Sequence, residues 1–223
     1  QLNQAVAPPH KSNLAAYLDY LKRQMSRQNI NVYIGVEATA DMIKKSTPDA
    51  VIVATGVIAA RPDILGVDKS SVMHARDVLD GKATGDRVAI IGGGLVGCET
   101  AELLRKQGKH ITIIEMLDEI AGKMVYAQKV ILEARLKAAG VDIITGACCK
   151  EIADTGMVIT TKTGGEKHID ADSIIIAVGD RPNNAIEREL QELVPEIYAA
   201  GDCVKPEGIA EAVAAGYLAA LAI

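Results

Sequence analysis

Val88-Ala-Ile-Ile-Gly92-Gly93-Gly94-Leu95-Val96-Gly97-Cys98-Glu99 is the stretch on which the reading of this chain turns. An apolar run reads as a buried strand, the glycines as a turn, and Leu95 opens a helix that the pattern carries to Gln107. Gly92, Gly94 and Gly97 fill the G-x-G-x-x-G positions. The first permits the tight turn off the strand, and the second lets a pyrophosphate approach the backbone. The third lets the helix pack close to the strand. Leu95 and Val96 stand at the helix start, where the positive end of the helix faces phosphates. A second strand, Ile111–Glu115, ends in an acid 18 residues beyond Gly97. That is near the spacing of about 20 at which a carboxylate accepts hydrogen bonds from the adenosine ribose. Val88–Glu115 therefore reads as a dinucleotide-binding βαβ unit.

Met116, Leu117, Asp118 and Glu119 follow Glu115, with no nearby Arg or Lys. A 2′-phosphate would meet like charge there, so NAD(H) is expected over NADP(H).

Working outward, a helix is expected from about Leu14 to Gln28, capped by Ser12 or Asn13, and a short strand over Asn31–Val36. Thr39 caps a short helix to about Ser46. Ala50–Ala54 is a continuous apolar run, which suits a strand buried on both faces of a parallel sheet, ended by Thr55-Gly56. Arg61 to Gly85 is irregular apart from a short helix near Ala75–Leu79. Beyond Arg87–Ile91 come a helix near Ala127–Ala139 and a strand at Val141–Thr145. Val158–Thr161 and Lys167–Ile169 read as an antiparallel hairpin around Gly164-Gly165. Ser173–Val178 is again a buried strand, ending in Gly179. A helix near Ala185–Leu193, a strand at Glu196–Ala199 and a closing helix from about Glu207 complete the chain. The fold class is α/β, a Rossmann-like doubly wound parallel sheet with a small antiparallel hairpin layer.

Val51–Gly56 and Ile174–Gly179 look alike, each a buried strand ending in glycine. Such a glycine serves either close approach to a ligand or an ordinary strand-end turn. Asp202, after Gly201 and ahead of an Ala-rich segment, reads from its residue type first as a helix cap.

The bulk numbers exclude several classes. The 223 residues are 49% hydrophobic and 24% charged, with a net charge of −5. Nothing here suits a nucleic-acid backbone or an anionic membrane, and no apolar stretch is long enough to span a bilayer. There is no Trp or Phe, which argues against base-stacking platforms. Cys98, Cys148, Cys149 and Cys203 form no Cys-x-x-Cys and preset no metal site, so four free thiols in a reducing cytoplasm are expected.

The motifs together resemble flavoprotein oxidoreductases with two dinucleotide-binding domains. More closely, the chain resembles the C-terminal half of the NADH:flavin oxidoreductase, 2,4-dienoyl-CoA reductase and trimethylamine dehydrogenase family. The motifs that carry this are Gln1-Leu-Asn-Gln-Ala, Pro8-Pro9, Asp49–Gly56, Gly92–Glu99, Ile114-Glu-Met116, Gly179-Asp-Arg-Pro-Asn183 and Gly201-Asp202. The resemblance implies an NAD(H)-binding domain, residues 83–181, inserted in a partial FAD-binding lobe formed by 1–82 and 182–223. It implies that Thr55 and Gly56 lie near the junction of the cofactor domains. Glu99 would sit near the nicotinamide and flavin, and Gly179 would line the NAD pocket. Met116 follows the ribose acid, and Gly201-Asp202 would contact the ribityl and pyrophosphate part of FAD.

By the same resemblance the reaction is hydride transfer from NADH to FAD, with no protein acid or base required. Electrons would pass on to an upstream barrel bearing FMN and a 4Fe-4S cluster, absent from these residues. The family's other glycine fingerprint, for the FAD adenosine, is not seen either. The chain alone is therefore expected to bind FAD weakly, to be inactive by itself, and to pair with a second copy through an exposed edge. The alternative is a non-redox site that holds ADP, which the same glycines and Glu115 would serve.

Overall fold

The computed structural model describes residues 1–223, the Ser12 side chain excepted, so capping by Ser12 lies outside the described residues. The elements run α1 (Leu2–Val6), α2 (Ser12–Arg27), α3 (Ala40–Ser46), β1 (Ala50–Val53), β2 (Val57–Ala59), β3 (Val72–His74) and α4 (Ala75–Leu79). Then come β4 (Arg87–Ile91), α5 (Leu95–Lys106), β5 (His110–Ile114), α6 (Tyr126–Ala138) and β6 (Asp142–Ile144). β7 (Ala147–Ala153), β8 (Gly156–Thr161), β9 (Glu166–Asp170), β10 (Ser173–Ile176) and β11 (Asp180–Pro182) follow. The chain closes with α7 (Ala185–Leu190), β12 (Glu196–Ala199), a 3-10 turn at Gly201–Cys203 and α8 (Ile209–Ala222).

The chain divides into two compact units. The first comprises Gln1–Met25 and Arg61–Gly179, the second Ser26–Ala60 and Asp180–Ile223.

The first unit is built on a five-stranded parallel sheet of order β3-β10-β4-β5-β6. Its central strands are buried on both faces because each face is covered. Alternation along β4 shows how. Val88 and Ile90 join the core with Cys98, Ala101 and Leu104 of α5 and with Leu132 and Leu136 of α6. Ala89 and Ile91 join the other core, with Ala147, Ile152, Met157 and Ile159 of the antiparallel sheet β7-β8-β9. A period of two sends successive side chains to opposite faces, so an uninterrupted apolar strand feeds both layers. The expected hairpin thus gains a third strand, β7. A register shift between Cys149 and Glu151 breaks its alternation. β3, which falls in the segment read as irregular, pairs with β10 at the sheet edge.

The second unit holds two small sheets, β1 parallel to β12 and β2 antiparallel to β11. Its core gathers Val53, Leu190, Val194 and Cys203. Two expectations are corrected here. Asn31–Val36 forms no strand: the segment is exposed and is cut by a turn at Ile34-Gly35, with Gly35 at φ +72. Its β-branched residues have no neighbouring strand to hydrogen-bond with, and propensity alone does not make a strand. The run at Ala50–Val53 is not buried on both faces. Its sheet has two strands, and Ile52 stays 40% exposed while Val53 is buried. Thr39 does cap α3, its side chain accepting from the Met42 amide.

Candidate dinucleotide site

β4 ends at Ile91, and the chain reverses at once to begin α5. Gly92 makes the reversal at φ +107, and a Cβ there would lie 2.4 Å from the Ala177 carbonyl oxygen. A Cβ on Gly97 would lie 2.0 Å from the Gly92 carbonyl oxygen, because the first turn of α5 rests on the end of β4. Only glycine fits either position. Gly94, the N-cap of α5, differs: a Cβ there would meet nothing within 4 Å. Open space therefore borders the end of the helix whose first amides have no intrahelical acceptor. Leu95 and Val96, the first two helical residues, are exposed. That combination, open room at a positive helix end, fits a pyrophosphate.

Gly93 carries a role that the sequence pattern does not assign. Its amide donates to Glu115 Oε2 at 2.6 Å. A Cβ there would lie 2.6 Å from Ile120 Cγ2 and 3.0 Å from Glu115 Cβ. Glu115 Oε1 accepts from the Leu117 amide at 2.8 Å. The carboxylate, 8% exposed, is thus fixed between the glycine turn and the residues after β5. Each oxygen keeps a lone pair for a further donor, so its geometry suits a ribose acceptor. Ala121 N donates to Gly93 O at 2.8 Å, and Gly146 N to Leu117 O at 2.8 Å. The first bond holds the loop after Glu115 against the turn and the second holds it to the residue before β7, with Met116 68% exposed on it.

The absence of nearby Arg or Lys is corrected by the folded chain. Lys162 donates to both oxygens of Asp118 at 2.6 and 2.7 Å. Lys129 pairs with Glu119 and lies 3.8 Å from Glu133. Lys162 stands beyond β8 and Lys129 on α6, so tertiary folding brings cations that sequence proximity does not show. Asp118 and Glu119 are therefore charge-compensated.

Glu99, the fifth residue of α5, pairs with Lys11 Nζ at 2.5 Å and is largely covered. Lys11 was not singled out by any motif, and nothing short of the fold connects it to Glu99. Gly179 follows β10 at φ +101 with nothing within 4 Å of a Cβ.

In the second unit, the Thr55 hydroxyl donates to the Asn183 carbonyl and Asn183 N donates to Gly56 O at 3.0 Å. The Thr55-Gly56 and Asp180–Asn183 motifs are thereby joined, side by side with the β2-β11 pair. Gly201 turns at φ +71. The expected helix cap at Asp202 is corrected: Asp202 lies in the 3-10 turn, and Gly208 is the N-cap of α8. Asp202 Oδ1 accepts from Glu207 N, ahead of that helix, at 3.4 Å.

All four cysteines are free. Cys98 is buried beneath the site, where desolvation pushes its thiol up to about 12, helped by Glu102 and Glu99. Cys203 Sγ donates to the Val53 and Ala200 carbonyls at 3.2 Å. Among the described residues no cluster of three or more His, Cys, Asp or Glu could hold a metal. Among the described residues no helix is long and apolar enough to cross a membrane.

The chain is 35% identical over 223 residues to an NADH oxidase of Thermoanaerobacter brockii, covering 97% of this chain and 34% of that protein. It is 35% identical to a bilirubin reductase of Mediterraneibacter gnavus, covering 99% of this chain and 34% of that protein. Among solved structures, a 2-naphthoyl-CoA reductase in complex with 2-naphthoyl-CoA superposes with a TM-score of 0.92 at 31% identity. That likeness covers 97% of this chain and 33% of the other. The chain therefore spans about a third of the length of these relatives. The model of one family, described as pyridine nucleotide-disulphide oxidoreductase, matches residues 20–217. With nearly the whole chain under that match, the protein belongs to the pyridine nucleotide-disulphide oxidoreductase family.

Proposed function

We propose that this chain is the pyridine-nucleotide-binding module of a flavin-dependent oxidoreductase, taking NADH in preference to NADPH. The observation that carries the reading is the clasp between Gly93 and Glu115 beside the open end of α5. It holds a carboxylate acceptor and a row of helix amides at one end of one sheet. On this reading Gly92, Gly94, Leu95, Val96 and Gly97 receive the pyrophosphate, and Glu115 with Met116 receives the adenosine ribose. Glu99 and Gly179 lie toward the nicotinamide. A bound NADH would supply a hydride for FAD, for onward passage to an FMN and iron–sulfur barrel outside these residues. The protein's own part is to grip, orient and shield the cofactor, which needs no acid or base at the reacting atoms.

The second unit takes the FAD-contacting role in this proposal, through Thr55, Gly56, Gly201 and Asp202. These residues suit one half of FAD, and the 223 residues show no second G-x-G-x-x-G for its adenosine half. The isolated chain is expected to purify without stoichiometric FAD and to show no reductase turnover; a yellow, active preparation would contradict this. Pairing of two copies through the short β1-β12 sheet is part of the proposal and is checked by light scattering.

Calorimetric titration with NADH, NADPH and ADP tests the site. NADH is expected to bind more tightly than either of the others. Equal affinity for NADH and ADP would favour a non-redox ADP site, a reading that the reductase and oxidase names of the relatives do not favour. No binding of NADH would overturn the proposal.

A further inference from the structure

Two cations from elsewhere in the fold, Lys129 of α6 and Lys162 beyond β8, meet the loop after Glu115. Lys162 holds Asp118 through both carboxylate oxygens, and Lys129 holds Glu119. The two acids stand three and four residues beyond Glu115, on a loop that Ala121 N ties to Gly93 O of the glycine turn and that Leu117 O ties to Gly146 N, just ahead of β7. Gly146 lies beneath one pair: a Cβ there would be 3.4 Å from Lys162 Cβ and 3.6 Å from Asp118 Oδ1. Asp118 and Lys162 are both more than 70% exposed, so their pair is open to exchange with an anion from solution. Lys129 is only 12% exposed and is shared between Glu119 and Glu133.

We infer that Asp118 and Glu119 set the dinucleotide preference by occupying Lys162 and Lys129, so that a 2′-phosphate finds its cations already taken. This rests on the proposed placement of the adenosine ribose at Glu115. It differs from simple repulsion, because the loop's acids are neutralised. A 2′-phosphate must compete with a carboxylate for each lysine, and an exposed pair holds its partners weakly. Removing the acids frees the Lys162 ammonium and leaves Lys129 with Glu133 alone, so an anion of higher charge can form stronger charge-assisted bonds there. Lys162 is the cation nearer to exchange, and Lys129 is held in reserve by Glu133.

The test compares Kd for NADH and NADPH in the full chain, in D118N/E119Q, and in D118N/E119Q/K129M/K162M. All variants are checked for folding by circular dichroism. The ratio of NADPH to NADH affinity is expected to rise about ten-fold in the double variant, the worth of roughly one new charge-assisted bond. It should fall back to near the starting ratio in the quadruple variant, and the gain should shrink in high salt. An unchanged ratio in the double variant overturns the inference. So does a gain that survives loss of both lysines, since removal of negative charge alone would then explain it. If the unaltered chain binds no NADH, the site reading itself fails and this inference falls with it. NADH binding with a flat ratio rejects the inference alone.

Discussion

The Gly93 amide donates to Glu115 Oε2 across 2.6 Å, joining residues 22 positions apart at the candidate dinucleotide site. The other carboxylate oxygen is held by the Leu117 amide. Glu115→Gln replaces one acceptor oxygen with an NH2 group, which must face a backbone donor. The variant is expected to lose about 1–3 kcal/mol of stability, the cost of a buried donor left without its acceptor. NADH affinity is expected to fall with it. Urea unfolding and calorimetry measure the two effects. Wild-type stability in the variant would mean that the clasp contributes nothing to the fold.

The glycines of the fingerprint are expected to separate by role. Gly97→Ala drives a Cβ to 2.0 Å from the Gly92 carbonyl, so the helix must lift from the strand. Destabilisation of about 1–3 kcal/mol or more is expected, as for overpacking of a filled interior. Gly94→Ala meets open space and keeps an extended backbone, φ −67 and ψ −178, so the apo protein should lose no more than the preference of an N-cap for glycine over alanine, about 1 kcal/mol. Its methyl group instead enters the room left for the pyrophosphate, and NADH affinity is expected to fall about ten-fold or more, as 1.4 kcal/mol of crowding would give. Thermal melts with and without NADH separate the outcomes. A Gly94→Ala protein that binds NADH normally would place the ligand elsewhere.

Why some of this was legible in sequence and some not follows from the range of the forces involved. β4, α4 and β12 begin and end where the pattern puts them, because an apolar run and its flanking turn residues are local signals. β7 escaped because its register shift between Cys149 and Glu151 interrupts the alternation that marks a strand. β3 is three residues whose strand character comes from its partner β10 and not from its composition. Asn31–Val36 has the composition of a strand and no partner. The glycines and Glu115 were readable because their spacing is itself the motif. Gly93 was not, since the consensus leaves that position open, and its constraint comes from Ile120 and Glu115 folding over it. Lys11, Lys129 and Lys162 reach the site across the fold, and no local pattern marks such a lysine.

Between α5 and α6, Arg135 grips Glu102 with Nε on Oε1 at 2.6 Å and a second nitrogen on Oε2 at 3.1 Å. Glu102 is 7% exposed, while Arg135 is 38% exposed. Arg135→Met strands a buried carboxylate, which typically costs about 3–5 kcal/mol, and the exposure of the arginine places this case at or below the lower end. Replacing both residues, Glu102→Leu with Arg135→Met, should recover most of that loss. Chemical denaturation of the two proteins decides it. An Arg135→Met variant as stable as the parent would show that water reaches Glu102 and replaces the guanidinium.

Arg87 and Asp172 tie the start of β4 to the start of β10, and they give the fold a defined acid response. The Arg87 side chain reaches Asp172 Oδ1 at 2.6 and 3.1 Å, while the Arg87 amide donates to Oδ2 at 2.9 Å. The side-chain bond from Arg87 is the largest cause that lowers the Asp172 carboxyl from 3.8 to about 2. A carboxyl lowered in the folded state binds its proton more readily when unfolded. Its contribution is therefore complete above pH 3.8 and is lost as the pH falls towards about 2. Asp154, lowered by Lys69, acts in the same direction and sets a background common to every variant. Asp172→Asn removes the titrating group, so its urea midpoint should fall less steeply than that of the parent across this window. Arg87→Met returns Asp172 towards its ordinary value, so that variant should lose less stability between pH 3.8 and 2 while starting from a lower midpoint at neutral pH. Urea midpoints measured through the window test both. Parallel pH profiles for all three proteins would show that the pair leaves acid stability untouched.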